Sequence, residues 1–246
     1  DIDSITKAYI GASANVTATG TATNEGTTVA AEDTTSLSGG SGGTTVGLGN
    51  AGAAVNVNNI NKDTQAYIGS NSAVNSKGIL SVNAKNNEDI YNLTIQGTGG
   101  LAAGVAGAVG VHDLNIITKA YTDSGVNINQ ADGYANGGNI TFTAEHDLDI
   151  ESTIVGAAFA GVGVGAAVDV ANIITQTNAY IGNNNSVKNG NALNITATES
   201  FGTASDKIKS AAVSGTIAGG SINGGISAYS YGSGMSSEDK KQLESS

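Results

Sequence analysis

Cysteine, proline, tryptophan and arginine are absent from this sequence, and aromatic residues make up only 4% of it. Without cysteine there are no disulfides, so packing and backbone hydrogen bonds alone must hold the core. Without arginine, lysine carries all the basic charge, and the net charge of -11 argues against nucleic acid, whose phosphates need Lys and Arg. It argues equally against an anionic membrane surface. Proline would remove a ladder hydrogen bond from any central strand, so its absence suits a chain made of strands. No long hydrophobic run is present either. The longest, "IVGAAFAGVGVGAAV" from Ile154, stops before Asp169 and is too glycine-rich and short for a membrane span. The first residues, "DIDSITKAYIG", enter a repeat directly with no signal peptide, which points to an excised interior segment.

What is present is Gly, Ala, Val, Ile, Thr, Ser and Asn in alternating patterns. Val and Ile recur often enough to bury apolar surface, so the composition is not that of a disordered chain. Glycine has no three-residue period, which excludes collagen. The dominant signal is repetition. "KAYIG" from Lys7 returns as "QAYIG" from Gln65, as a blurred "KAYTD" from Lys119, and as "NAYIG" from Asn178. The markers Tyr9, Tyr67, Tyr121 and Tyr180 are spaced by 58, 54 and 59 residues. Alternating stretches such as "ILSVNA" from Ile79 and "NITFTA" from Asn139 keep step with them, as do the small-residue stretches from Gly42, Gly97, Gly156 and Gly215. Four units result, roughly 1–58, 59–114, 115–171 and 172–235, the last less regular. Residues 236–246 form a charged tail or a short helix capped by serines.

Period-two alternation makes every unit strand-like. The expected fold is all-β: a right-handed parallel β-helix (β-solenoid) forming a single domain over 1–235. A solenoid turn takes roughly 20 residues, so a unit of 54 to 59 predicts three coils per repeat and about twelve in all. At roughly 4.8 Å per coil, that is a rod near 60 Å long. Stacked asparagines at inward turns, and tyrosines at corners with glycine starting each bend, are part of this expectation. The blurred copy predicts a local departure from regular geometry near Tyr121.

"NIITKAYT" (Asn115 to Thr122), "NIITQTNAYIG" (Asn172 to Gly182) and the Gly/Ala/Val strands before them resemble the leukotoxin-family filamentous adhesins, within the wider filamentous-haemagglutinin class. The resemblance covers essentially the whole chain. It implies a right-handed parallel β-helix and export through an outer-membrane secretion partner by a type V route. It also implies an extracellular place at the bacterial cell surface, as a non-enzymatic stalk, adhesin or toxin body. Expected partners are flanking segments of the same large polypeptide and a host cell-surface protein or glycan. The family supplies no catalytic motif to carry over. The absence of cysteine suits a secreted protein that crosses the envelope unfolded.

The best chemical constellation is "EHDLDIES" from Glu145. On a strand, Asp147, Asp149 and Glu151 share one face while Leu148 and Ile150 share the other. Carboxylates about 7 Å apart could hold Ca²⁺ or flank a glycosidic bond, which defines an alternative function as a carbohydrate-active or calcium-dependent glycan-binding β-helix. Against it, acids recur at a similar place in other units (Glu32 and Asp33, Glu88 and Asp89, Glu199), as a solvated scaffold face would have them. Lyase chemistry beside a uronate needs a basic group near carboxylates, and arginine is absent. His112 and His146 lie in different parts of a unit and make no metal site on spacing alone. Glycine-rich "SGGSGG" from Ser38 lacks the GK[ST] ending of a P-loop. "TATGTAT" from Thr17 resembles an ice-binding ladder, which the other units do not continue. In "AFAGVGVGAAV" from Ala158, valines alternate with glycines. Inward valines would leave a flat glycine outer face for packing, and the competing reading is a coil that simply narrows there.

Overall fold

The computed structural model describes residues 1–21, 25–135, 137–188, 191–201, 209–218 and 221–227. The expected tail at 236–246 lies outside the described residues. Among the described residues there is no helix, and twelve strands form two sheets. The larger sheet is built of β1 (Ile2–Ile10), β3 (Thr27–Ile68), β5 (Leu80–Thr122), β7 (Ile140–Ala160), β8 (Val162–Ile181), β10 (Leu193–Ser200), β11 (Lys209–Ala218) and β12 (Ser221–Ser227). The smaller stacks β2 (Asn15–Ala18), β4 (Ala73–Ser76), β6 (Asn127–Ile128) and β9 (Ser186–Val187). All pairings are parallel except β11 with β12.

The register fixes the architecture. Thr27 lies beside Leu80, Leu80 beside Ile140, Ile60 beside Leu114, and Leu114 beside Ile173. Neighbouring strands are therefore one whole repeat apart. The expected three coils per repeat, about twelve in total, do not agree with this register: one repeat makes one rung. The physical reason is strand length. β3 and β5 each run outward, fold back, and return as one continuous strand of 42 and 43 residues. Bonds between the two arms show the fold-back: Lys62 reaches Asp33 within β3, and Asn86 Nδ2 donates to Thr118 Oγ1 within β5. In the third unit the outgoing and returning arms are β7, with 21 residues, and β8, with 20. Each arm spans about 65 Å, whereas four rungs rise only about 20 Å. The long dimension thus follows the strands, not the stacking axis as the rod expectation had it.

Side chains alternate inward and outward along every arm. Near the short side, Ile68, Leu80, Val82, Val126, Ile128, Ile140 and Phe142 form an apolar cluster with several alanines. Farther along, Ile60, Ile90, Leu114, Ile116, Leu148 and Ile150 form a second. Polar side chains lie between and beyond these clusters. Toward the far end Gly and Ala hold most inward positions of the returning arms, while Gln96, Thr98 and Ile154 are buried on the outgoing ones, and the two layers close on each other. A Cβ on Gly156 would stand 2.1 Å from the Ala166 carbonyl oxygen. One on Gly165 would meet the carbonyls of Gly215 and Gly156 at 2.5 and 2.6 Å. The narrowing reading of "AFAGVGVGAAV" therefore holds, and valines face outward with glycines inside.

The corner after each "AYIG" string is equally regular. Ser13, Asn71, Gly125 and Asn184 all take positive φ, at 58°, 58°, 74° and 56°. Their amides climb from rung to rung: Ser13 N donates to Ser70 O, Asn71 N to Ser124 O, and Gly125 N to Asn183 O. This left-handed position suits Gly and Asn. The blurred copy "KAYTDSGV" keeps its corner because Gly125 falls on that position. No departure occurs at Tyr121, which pairs in register with Tyr67 and Tyr180; the register changes at the fold-backs instead, between Gly47 and Gly49 and again between Gly99–Phe159 and Ala103–Val162. The asparagine ladder lies on an exposed strand position and not at an inward turn: Asn115 Nδ2 donates to Asn61 Oδ1, and Asn61 Nδ2 to Asp3 Oδ1. The last unit is irregular as expected, since β12 turns back onto β11 in antiparallel pairing.

The closure of the two layers makes a sharp contrast between glycines. Gly156→Ala is expected to cost about 1–3 kcal/mol, the usual range for overpacking, because backbone must move. Gly107→Ala, whose nearest new neighbour stands at 4.0 Å, is expected to be neutral or to stabilise by less than about 1 kcal/mol. Urea unfolding of the two variants measures the difference.

Candidate functional site

The titratable groups with the most specific geometry are inside the stack. In "NNINKDTQAYIG", Ile60, Lys62, Thr64, Ala66 and Ile68 share one parity, and all are buried. Strand alternation therefore drives the Lys62 ammonium into the interior. There its Nζ meets Asp33 Oδ1 at 2.5 Å and Glu88 Oε1 at 3.0 Å. The other Glu88 oxygen, Oε2, lies 2.8 Å from His146 Nε2, within hydrogen-bond distance. His146 Nδ1 faces Glu199 Oε1 at 3.8 Å, and Glu199 also accepts from Thr175 Oγ1. Asp33 Oδ2 accepts from Ser4 Oγ at 2.6 Å and Thr6 Oγ1 at 2.9 Å. The result is a column, Asp33–Lys62–Glu88–His146–Glu199, crossing the stack from rung to rung. Burial pushes the Asp33 carboxyl up, but the bonds from Lys62, Ser4 and Thr6 and the Lys62 charge outweigh it. The net effect lowers Asp33 below the usual carboxylate value.

A second polar group surrounds His112. Its Nδ1 faces the amides of Asn58 at 3.2 Å and Asn92 at 3.4 Å. Its Nε2 faces Ser152 Oγ at 3.1 Å and Asp169 Oδ1 at 3.3 Å. Ser210 Oγ donates to Asp169 Oδ2 at 2.5 Å. Burial opposes ionisation of Asp169, but the hydrogen bonds from His112, Ser210 and Ser152 outweigh it and lower its pKa. Serine, histidine and aspartate here do not form a nucleophilic triad. A triad places Ser and Asp on opposite ring nitrogens, and here both lie on Nε2 while two amides occupy the other side. Ser152 and His112 are also fully buried, so no substrate reaches them.

The carboxylates singled out in the sequence lie outside. Leu148 and Ile150 point into the core, and Asp147, Asp149 and Glu151 line the outer face of β7, as alternation predicts. Ser200 Oγ donates to Asp147 Oδ1 at 2.7 Å. The three acids lie along one strand, successive members about 7 Å apart, and do not converge. Among the described residues no group of three or more His, Cys, Asp or Glu has a metal-holding arrangement. The acids that recur in the sequence do not occupy one ladder: Glu32 stacks on Lys85 and Glu145, whereas Asp33 stacks on Asn86, His146 and Glu199.

The repeat markers do come together. Tyr9, Tyr67, Tyr121 and Tyr180 form one outward ladder, each ring 5.1 Å from the next and within 13° of parallel. Tyr121 OH donates to Gln65 Oε1 at 2.9 Å. Burial, then the Asp123 charge and the neighbouring tyrosines Tyr180 and Tyr67, with Asp63 beyond them, push the Tyr121 phenol up to about 12. Tyr180 is raised by burial and Asp123. Gly69 and Gly182 follow the string at the bend, as expected.

Two measurements test these groups. Lys62→Met leaves two carboxylates facing each other without their cation, and is expected to cost about 3–5 kcal/mol in urea unfolding. Pairing it with Glu88→Gln is expected to restore part of that loss. In an alkaline titration followed by phenolate absorbance, Tyr121 is expected to ionise near 12 in the native chain, against about 10 once unfolded. Above about 10 the unfolded state has lost a proton that the native state keeps, so stability falls as pH rises through that window. Tyr121→Phe removes the late step.

The chain was compared with known proteins: no family model matches it. No curated protein matches it, and no solved structure does.

Proposed function

We propose that the chain is a non-enzymatic scaffold segment of a secreted bacterial surface adhesin or toxin body, a right-handed parallel β-helix whose outer faces contact a host surface or neighbouring segments. The observation that carries this reading is the whole-repeat register. The tyrosine strands of four units stack position on position, and among the described residues the arms stack in the same whole-repeat register. Such an array grows by adding units, each contributing its own strands and its interface with the one before.

The geometry moves the emphasis within that reading. A repeat of some 54 to 59 residues advances the stack by only about 4.8 Å, so reach along the axis is bought with much chain. What each repeat supplies in quantity is breadth, two arms of about 65 Å apiece. The segment therefore acts as a broad blade presenting ladders of repeated side chains more than as a thin stalk. Lys62, Glu88 and His146 serve the interior of that blade, engaged with each other, and His112 does so beside Ser152 and Asp169, all away from solvent.

The test is a screen of the immobilised chain against neutral and acidic glycans and against host-cell surface proteins, with and without calcium. Retention of a glycan or protein without turnover is expected, unchanged by calcium and by Asp149→Ala. Glycan cleavage that disappears in Asp149→Ala would overturn the scaffold reading in favour of a carbohydrate-active site.

A further inference from the structure

Because glycine and alanine hold most inward positions of the returning arms near the fold-back, the valines there face outward. On the returning arms they fall into register. Val55, Val109 and Val168 make one row across three rungs, and Val57, Val111 and Val170 make the next. Beside the first row, toward the fold-back, Ala53, Gly107 and Ala166 make a shallow furrow. Beyond that furrow come Ala51, Val105 and Val164, then Gly49, Ala103 and Val162. These are exposed side chains: Val57 is 59% accessible, Val162 67%, Val164 54% and Val168 50%. A contiguous apolar patch of a few hundred Å² is about the largest that a typical monomeric protein exposes, and such patches are often functional.

We infer that this valine face packs against the same face of a second copy of the chain. The argument is one of fit. A flat array of side chains repeating at the inter-strand spacing is matched row for row by a surface with the same period, and another copy has it. The face is also self-complementary. Take a two-fold axis parallel to the stacking direction, lying between the Ala53 row and the Val55 row. It places the Val55–Val109–Val168 ridge of one copy in the Ala53–Gly107–Ala166 furrow of the other, and the reverse. It also sets the Val57 row against the Ala51 row. This is an isologous interface, in which each patch meets its own equivalent. The two sheets then pack face to face at about 10 Å.

Charge agrees with this orientation. No Asp, Glu or Lys occurs between Asp33 and Lys62, between Asp89 and Asp113, or between Glu151 and Asp169. The far half of each of these rungs is thus free of formal charge apart from the two buried groups at its border, His112 and Asp169. The two-fold overlaps the uncharged halves and points the acidic halves in opposite directions. A chain of net charge -11 can therefore dimerise here without bringing its acids together. The three rungs offer a footprint of about 30 by 14 Å, roughly half of the ~800 Å² per partner typical of a stable complex. The association is weak for this segment and strengthens with each added rung.

Sedimentation equilibrium of the whole chain from micromolar to millimolar concentration is the test. The apparent mass is expected to rise from one chain toward two. Val55→Thr combined with Val168→Thr keeps β-branched shape on the strands and places hydroxyls in the ridge. It is expected to weaken association at least about tenfold with the circular dichroism of the parent. Thr143→Val, on the outer face of β7, is expected to change nothing. Since the chain contains no cysteine, cross-linking reads the geometry independently. Ala53→Cys mixed with Val55→Cys should form the mixed disulfide faster than either forms its own. A single-chain mass at every concentration overturns the proposal. So does association untouched by the paired threonines, or cross-linking without preference for the mixed pair.

Discussion

In-register stacking of whole repeats is the constraint on which the rest of the structure depends. Parallel pairing at about 4.8 Å puts each side chain directly above its equivalent one repeat earlier. Every position in the unit therefore becomes a column, and a column has to tolerate its own members. Aromatic rings tolerate it by stacking, as the four tyrosines do. Amides tolerate it by donating to the next rung, as Asn115 does to Asn61 and Asn61 to the Asp3 carboxylate. Charges of one sign do not tolerate it, and Lys85 accordingly stands between Glu32 and Glu145 in its column. Asp89 beside Asp149 is the exception, on the outer face where water screens like charges.

The same constraint divides the rung into two halves of different chemistry. Near the short side the layers are held apart by Ile, Leu, Val and Phe, and the space between them admits a lysine, two histidines and their acids. Toward the fold-back the layers approach until the returning arms carry mostly Gly and Ala inside, opposite Gln96, Thr98 and Ile154 of the outgoing arms. Alternation leaves no neutral choice there. If the inward positions are small, the strand-forming residues must occupy the outward ones, and β propensity selects valine. The exposed valine face thus follows from the narrowness of the interior it covers.

Much of this was legible in the sequence, and what was not has a definite cause. The all-β class, the four units, the irregular last unit and the parity of Leu148 and Ile150 against Asp147, Asp149 and Glu151 follow from period two and the returning strings. The number of passes per unit does not, because alternation has the same period whether a strand runs six residues or twenty. Only fold-back signals tell these apart. The glycine clusters at Gly47–Gly49 and Gly99–Gly100 were such signals, although glycine is so common in the chain that they do not stand out. The inward face of the Gly/Val stretches was ambiguous for a related reason. Alternation shows that two faces differ without saying which one is inside. Lys62 was the most readable of the missed residues, since it shares the parity of Ile60 and Ile68.

Repetition also carries a hazard, and the buried ionic column bears on it. Four similar units can slip by one repeat and still stack most of their tyrosines, corners and small residues. The column cannot. The position of Lys62 is filled by Ser4, Ile116 and Thr175 in the other units, and that of Glu88 by Thr35 and Leu148. A slip of one repeat between β3 and β5 parts Lys62 from Glu88, so that Lys62 keeps only Asp33 of its two carboxylates and Glu88 loses its cation. Hydrophobic residues in those places would pack as well or better, but would pack equally well in the wrong register. The ion pair therefore contributes order among units more than net stability.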